Sequence, residues 1–262
     1  METDNEILKA GLEKIFRAGP PQDIDNILAK LNRYLDEIEL FNEAYGLVKA
    51  GSRRELIIRH ILDSLTPLTT LAPLATFTPL TTLAPLATLA QLAMPGLLVA
   101  EKTRSKKIAD VGSGAGLPGI PLAICMPGAE FTLIERMGRR AGFLRNCTAV
   151  LDLPNVKIEE NEMEKTAASI FDIAVFRAFR PLEPEILAAL LRLLTEGGFL
   201  AAYKGKAETA REELISAEKT ARLKSFEWKL IPLEVPFLDE ERHLAVLRQG
   251  VFIAPNGVTK AH

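Results

Sequence analysis

Lys106-Lys107-Ile108-Ala109-Asp110-Val111-Gly112-Ser113-Gly114-Ala115-Gly116-Leu117-Pro118-Gly119 decides the fold of this 262-residue chain. An apolar run carries Asp110 near its end, and four glycines follow within eight residues. The pattern predicts a buried strand, a glycine-rich turn and then a helix over 120–126. Glycines there permit positive φ and let a ligand approach the backbone with no Cβ in the way. The helix N-terminus beyond them offers N–H groups and a positive dipole end. The stretch reads as a cradle for a nucleotide-like cofactor, and the identity of that cofactor decides the function.

Downstream, strand and helix patterns alternate. Strands are predicted over 131–135, 156–159, 171–176 and 199–204, helices over 139–151, 183–194 and 208–219, and a closing antiparallel pair over 226–236 and 243–248. Alternating units after a glycine turn mean an α/β, doubly wound, Rossmann-like sheet. Upstream, Ile24, Ile27, Leu28, Leu31, Leu35 and Ile38 recur at spacings of three and four, an apolar helix face with Asp23 as its expected cap. Residues 56–65 read as another helix. The segment Thr66 to Thr76 then recurs letter for letter as Thr78 to Thr88. Two copies are too few for a solenoid, and prolines at 67, 73, 79 and 85 exclude a regular long helix. The duplication is read as an insertion in a tolerant connector.

Composition bounds the rest. Apolar residues make up 48% and charged residues 25%, as in an ordinary soluble domain. A formal net charge of −2 gives no global basic field. Cys125 and Cys147 form neither a disulfide framework nor a metal set. The acidic start, Met1 to Glu6, is no signal peptide. The apolar stretch from Leu71 to Val99 is too interrupted by proline and threonine to span a membrane. A cytoplasmic monomer with no membrane attachment is expected.

Two cofactor classes fit a glycine turn followed by an acid at the end of the second strand, here Glu135, whose carboxylate suits ribose hydroxyls. The frame Gly114-x-Gly116-x-x-Gly119 matches the dinucleotide pattern. Yet Pro118 and Pro121 fall where the first helical turn should present N–H groups to a pyrophosphate. Asp110 would repel a pyrophosphate and suit a cation. These features favour S-adenosylmethionine over a nicotinamide dinucleotide, with a dehydrogenase as the rival.

Asp110 to Pro121, Arg59-His60-Ile61-Leu62-Asp63-Ser64-Leu65, Arg177-Ala178-Phe179 and Tyr203-Lys204-Gly205 together resemble the glucose-inhibited division protein B family. Its members are small-subunit ribosomal RNA guanine-N7 methyltransferases. The resemblance runs from about residue 31 to 248, the repeat excepted. It implies a Rossmann-like S-adenosylmethionine-dependent methyltransferase domain over 97–250. Around it stand an N-terminal helical section (1–65), the repeat connector (66–96) and a tail (251–262). It also implies roles: Gly112, Gly114 and Gly116 line the methionine end of the cofactor, Leu117 packs on it, Glu135 takes the ribose, and Glu162 and Met163 meet the adenine. Arg177 would position the cofactor carboxylate or the target nucleotide, with a structural ion pair as the alternative. Asn42 is a positioning candidate. The chain departs from the family at Asn161, where an arginine is usual, and over Phe41 to Val48.

The implied chemistry agrees with what the sequence omits. Guanine N7 carries an in-plane lone pair and no proton, so methyl transfer to it needs placement and no general base. An Asn/Asp-Pro-Pro-aromatic tetrad for an exocyclic amine is absent. Both cysteines fall on predicted helices, which suits neither as a nucleophile. His60 reads as a packed helix residue. Arg136, Arg139, Arg140 and Lys204 are RNA-binding candidates. Arg145, the cluster Lys102, Arg104, Lys106 and Lys107, and the cluster Arg53, Arg54 and Arg59 are further basic groups that could join them on the cofactor side. The expected partner is small-subunit ribosomal RNA or the small subunit itself, and no metal is implied. The alternatives are a small-molecule methyltransferase and a non-enzymatic RNA-binding module on the same fold.

Overall fold

The computed structural model describes residues 3–16, 23–68, 105–177, 181–220 and 226–249. Nearly all of the repeat connector and the tail lie outside these residues. Seven strands form one sheet: β1 (Lys107–Val111), β2 (Glu130–Ile134), β3 (Val156–Glu159), β4 (Phe171–Arg177), β5 (Leu194–Lys204), β6 (Phe226–Leu233) and β7 (Arg242–Gln249). Their order is β3-β2-β1-β4-β5-β7-β6, parallel through β5, with β7 antiparallel between β5 and β6. The strand order reverses between β1 and β4. Sheets of this kind take ligands outside the carboxyl ends of the strands at such a switch point.

Helices cover both faces. On one face pack α1 (Asp4–Ile15), α2 (Ile24–Tyr45), α3 (Arg53–Leu56), a π-helical turn (Ile57–Leu62), α4 (Asp63–Leu65), α5 (Gly119–Cys125) and α6 (Gly138–Val150). On the other pack α7 (Pro184–Arg192) and α8 (Ala207–Thr220). The N-terminal helices share one continuous apolar core with the sheet: Leu31, Leu35 and Ile61 bury with Ile173, Val175 and Ala201. Tyr34, fully buried, donates its hydroxyl to the Ala115 carbonyl at 2.6 Å, which ties α2 to the glycine turn.

Four local readings change. First, α1 is a helix the periodicity did not reveal; Thr3 and Glu6 close a reciprocal capping box at its start. Second, Asp23 stands at the N-cap of α2 but makes no cap bond. Its carboxylate accepts from the Asn26 side chain instead, at 3.0 Å. Third, β5 begins at Leu194, where a helix end was expected. A register shift between the Phe171–Leu194 and Ile173–Phe199 pairs absorbs the extra residues. Gly197 makes that possible at φ +76°, and Gly198 lies so near Asp172 that a Cβ would come within 3.0 Å of its carbonyl oxygen. The helix expected over 56–65 extends back to Arg53 and widens to π geometry in its middle.

Candidate functional site

Two cavities open at the carboxyl edge of the sheet. The smaller, about 210 Å³, is lined by Gly112, Glu135, Arg136, Met137, Arg140 and the 161–164 segment. It is built from the glycine turn and the end of β2. Gly112, Gly114 and Gly116 all have positive φ, as a turn this tight demands. Buried Glu135 braces it: one oxygen accepts from the Gly114 N–H at 2.9 Å, the other from the Met137 N–H at 2.8 Å. Each oxygen keeps a further lone pair. Asn161 donates its N–H to the Glu135 carbonyl, and its side chain accepts from the Glu162 N–H. Met163 is buried as a floor, and its carbonyl accepts from Arg192.

Asp110 is buried at the end of β1, 1% exposed. One oxygen accepts from the Gly119 N–H at 2.9 Å, and the other, Oδ1, has no hydrogen-bond partner. A Cβ on Gly119 would sit 2.5 Å from that carboxylate, so only glycine lets them meet. Burial pushes the Asp110 carboxyl up to about 7. The first helical turn therefore spends its donor on the protein's own acid. Gly116 and Leu117 donate to the Ser113 carbonyl, Ile120 donates to Gly116, and Pro118 and Pro121 have nothing to donate. A pyrophosphate would find these N–H groups taken. A sulfonium nucleoside has no need of them, and the small cavity offers it carboxylates and backbone, so the residues present fit S-adenosylmethionine. Among the described residues no cluster of side chains could hold a metal ion.

The larger cavity, about 890 Å³, lies beyond the ends of β4 and β5. Three segments far apart in sequence meet there: the π-helical turn with Asp63, the end of β4 at Arg177, and Tyr203-Lys204-Gly205 at the end of β5. Arg177 is held on three sides. It pairs with Asp63 at 3.1 Å, reaches the Arg59 carbonyl at 3.4 Å and meets His60 Nδ1 at 2.9 Å. Burial and the neighbouring guanidinium push His60 down to about 4, so it is neutral and accepts from Arg177. Buried Asp63 also faces Arg242 at 3.5 Å. Tyr203 donates to the Ser64 carbonyl at 2.8 Å. Lys204 pairs with Glu213 of α8 at 2.7 Å.

The sequence-derived residues divide between these places. Gly112, Glu135, Glu162 and Met163 line the small cavity, Arg177 and Lys204 the large one, and Gly114, Gly116 and Leu117 line neither, Leu117 being buried in the core. Asn42 turns its carbonyl oxygen to the Val48 N–H at 2.9 Å and its own main-chain carbonyl to Gly46, so it shapes the turn that carries Lys49 to the large cavity. Arg136 and Arg140 stand at the small cavity, and Arg139 lies over the Tyr45 ring at 5.7 Å. The wider basic footprint does not assemble. Arg53 is paired with Asp36 and Glu39, Arg59 with Glu55 and Glu240, and Arg145 with Glu160. Lys106 and Lys107 lie at the start of β1, the opposite edge of a parallel sheet from the site. Lys102 and Arg104 fall outside the described residues. Asp63, Glu213 and Arg242 were not singled out; Asp63 sits inside the quoted Arg59–Leu65 motif, and the other two carry no local signal.

The family model described as "GidB: rRNA small subunit methyltransferase G" matches residues 91–245. The chain is 38% identical over 251 residues to "Ribosomal RNA small subunit methyltransferase G" of Treponema denticola, covering 94% of each. It is 33% identical to the protein of that name from Xanthomonas axonopodis, covering 93% of this chain and 96% of the other. Among solved structures, the precorrin-6y C5,15-methyltransferase of Geobacter metallireducens superposes at a TM-score of 0.42 and 15% identity, over 56% of this chain and 81% of that one.

Proposed function

The chain belongs to the rRNA small subunit methyltransferase G family, and from that membership we propose that it methylates N7 of a guanine in small-subunit ribosomal RNA. It is an S-adenosylmethionine-dependent enzyme acting on ribosomal RNA. The observation that carries the cofactor side is the state of the glycine turn. Its donors at Gly114 and Gly119 are consumed by Glu135 and Asp110, which supports a cationic nucleoside and disfavours a pyrophosphate.

When bound, S-adenosylmethionine would supply an electrophilic methyl group on a cationic sulfur, and an acceptor such as N7, which carries a lone pair and no proton, would need no general base. The protein's task is then placement. Glu135, Glu162 and Met163, which line the small cavity, would hold the adenosine half there. Arg177, fixed by Asp63 and His60, stands at the end of β4, the strand next to β1, and lines the large cavity. The large cavity takes the target base. Neutral His60 is committed to Arg177 and serves no proton transfer. Burial pushes the Cys125 thiol up to about 12 and raises Cys147 too, which removes both as nucleophiles for carbon methylation. Exposed Arg136 and Arg139, with Arg140 beside them, supply phosphate contacts at the rim of the small cavity. Among the described residues no helix is long and apolar enough to cross a membrane.

Calorimetric titration tests the cofactor assignment. S-adenosylmethionine should bind with one-site stoichiometry and NADH should give no heat. Binding of NADH in preference to S-adenosylmethionine would reverse the assignment. Methyl incorporation from labelled cofactor into small subunits, with none into a metabolite pool, separates this reading from a small-molecule enzyme.

A further inference from the structure

Apart from Lys49 and Glu55, the charged groups of the large cavity fall into two sets. Arg59, His60, Asp63, Arg177 and Arg242 lock one another on the face of the sheet that carries the N-terminal helices. Lys204 and Glu213 form a separate pair on the other face. Their Nζ–Oε2 distance is 2.7 Å, and their side chains are 14% and 23% exposed. Phe176 lies beneath, with the Lys204 ammonium 5.9 Å from its ring centre. The pair is held rigidly, because the other Glu213 oxygen accepts from the Leu182 N–H at 2.8 Å. It is also unsaturated: an ammonium has three donors, and a carboxylate offers about four acceptor positions.

A donor and an acceptor standing side by side at the end of β5, two strands out from the glycine turn, make the pair informative. From the glycine turn after β1, the next strand carries Arg177 and the next Lys204, and Glu213 of α8 meets both Lys204 and the Leu182 N–H that follows β4. A guanine presents N7, then O6, then N1–H along its edge: two acceptors followed by a donor. With O6 set on Lys204, the neighbouring N1–H meets Glu213, and N7 lies on the other side of O6. A donor then meets an acceptor and an acceptor meets a donor. Adenine presents the reverse at these two atoms, an amino group followed by a bare nitrogen, and would face donor with donor and acceptor with acceptor.

We propose that Lys204 and Glu213 are the specificity-determining residues that select guanine, Lys204 reading O6 and Glu213 reading N1–H. This rests on the guanine-N7 reading above. A site that hydrogen-bonds the correct edge rejects the wrong one strongly, because its own polar groups are left unpaired.

The test uses the full chain, labelled S-adenosylmethionine, and small-subunit RNA assembled into particles with either guanine or adenine at the methylated position. Glu213→Gln keeps an acceptor for the Leu182 N–H and nearly the same shape. It should lower kcat/KM on the guanine particle about 10- to 100-fold, with calorimetric affinity for S-adenosylmethionine unchanged. The reversed pair, Lys204→Glu with Glu213→Lys, keeps opposite charges in contact. It should shift the guanine-to-adenine ratio of kcat/KM toward adenine by about 100-fold or more. A Glu213→Gln protein that methylates guanine at the parent rate overturns the proposal. So does a reversed pair that binds S-adenosylmethionine and keeps the parental ratio, since the pair would then be only a structural tie. Failure of the parent protein to label the guanine particle at all is a different result, and removes the guanine reading itself.

Discussion

Asp110→Asn probes the buried acid beneath the glycine turn. Asp110 is 1% exposed, accepts one N–H from Gly119 and has an oxygen with no hydrogen-bond partner. Loss of hydration is the largest cause of its rise to about 7; the bond from Gly119 and the charge of Arg177 oppose it. An unfolded aspartate titrates near 3.9. Between those values the native state holds a proton that the unfolded chain has lost, so stability falls as pH rises. The favourable contribution is fully present below about pH 4 and is gone above about pH 7. Each unit of separation is worth about 1.4 kcal/mol, so about 3 kcal/mol should disappear between about pH 5 and about pH 8. An asparagine keeps an oxygen for the Gly119 N–H and cannot ionise. Urea unfolding of both proteins across this range, at fixed ionic strength, measures the difference. The parent curve should fall relative to the variant by about 3 kcal/mol, with the variant the more stable at alkaline pH. Parallel curves would refute the reasoning, because they would mean that Asp110 is hydrated or its charge is already compensated.

Other consequences follow from the same contacts. Arg177→Ala strands buried Asp63 with only Arg242 at 3.5 Å, which should cost about 3 kcal/mol and lower Tm by roughly 6–12 °C; a loss under about 1 kcal/mol would show the pair to be idle, and calorimetry with S-adenosylmethionine reads its cofactor role separately. Tyr34→Phe removes the 2.6 Å bond to the Ala115 carbonyl and should destabilise by about 1–3 kcal/mol in urea, with no change expected if α2 does not brace the turn. Gly119→Ala and Gly142→Ala make a matched pair. The first drives a Cβ to 2.5 Å from the Asp110 carboxylate and should lower Tm sharply, while the second meets nothing within 4 Å in the interior of α6 and should stabilise by up to about 1 kcal/mol.

The sheet was legible because its strands are apolar runs punctuated by glycine, and β3 coincides with the predicted 156–159. The start of β5 was not, since a bulge made by Gly197 and Gly198 depends on the neighbouring strand and not on local propensity. Helix α1 was hidden by its short apolar face, although Thr3-Asp4-Asn5-Glu6 spelled out the capping box that starts it. At the site, residues within a motif could be read and residues meeting across the fold could not. Arg177 was placed at the right strand end, but its clamp by His60 and Asp63 joins residues 114 and more positions apart. Charge clusters misled for a related reason. Arg53 and Arg59 look free in sequence and are neutralised by carboxylates, and one of these, Glu240, lies 181 residues from Arg59.

The most direct measurement is a map of N7-methylguanine in small-subunit RNA, read by cleavage at the methylated base, after incubating unmethylated small subunits with the purified protein and S-adenosylmethionine. One guanine should become cleavable in the presence of protein and cofactor and none without either. Labelled methyl recovered on a different base atom, or on no RNA at all while the cofactor binds, would contradict the assignment.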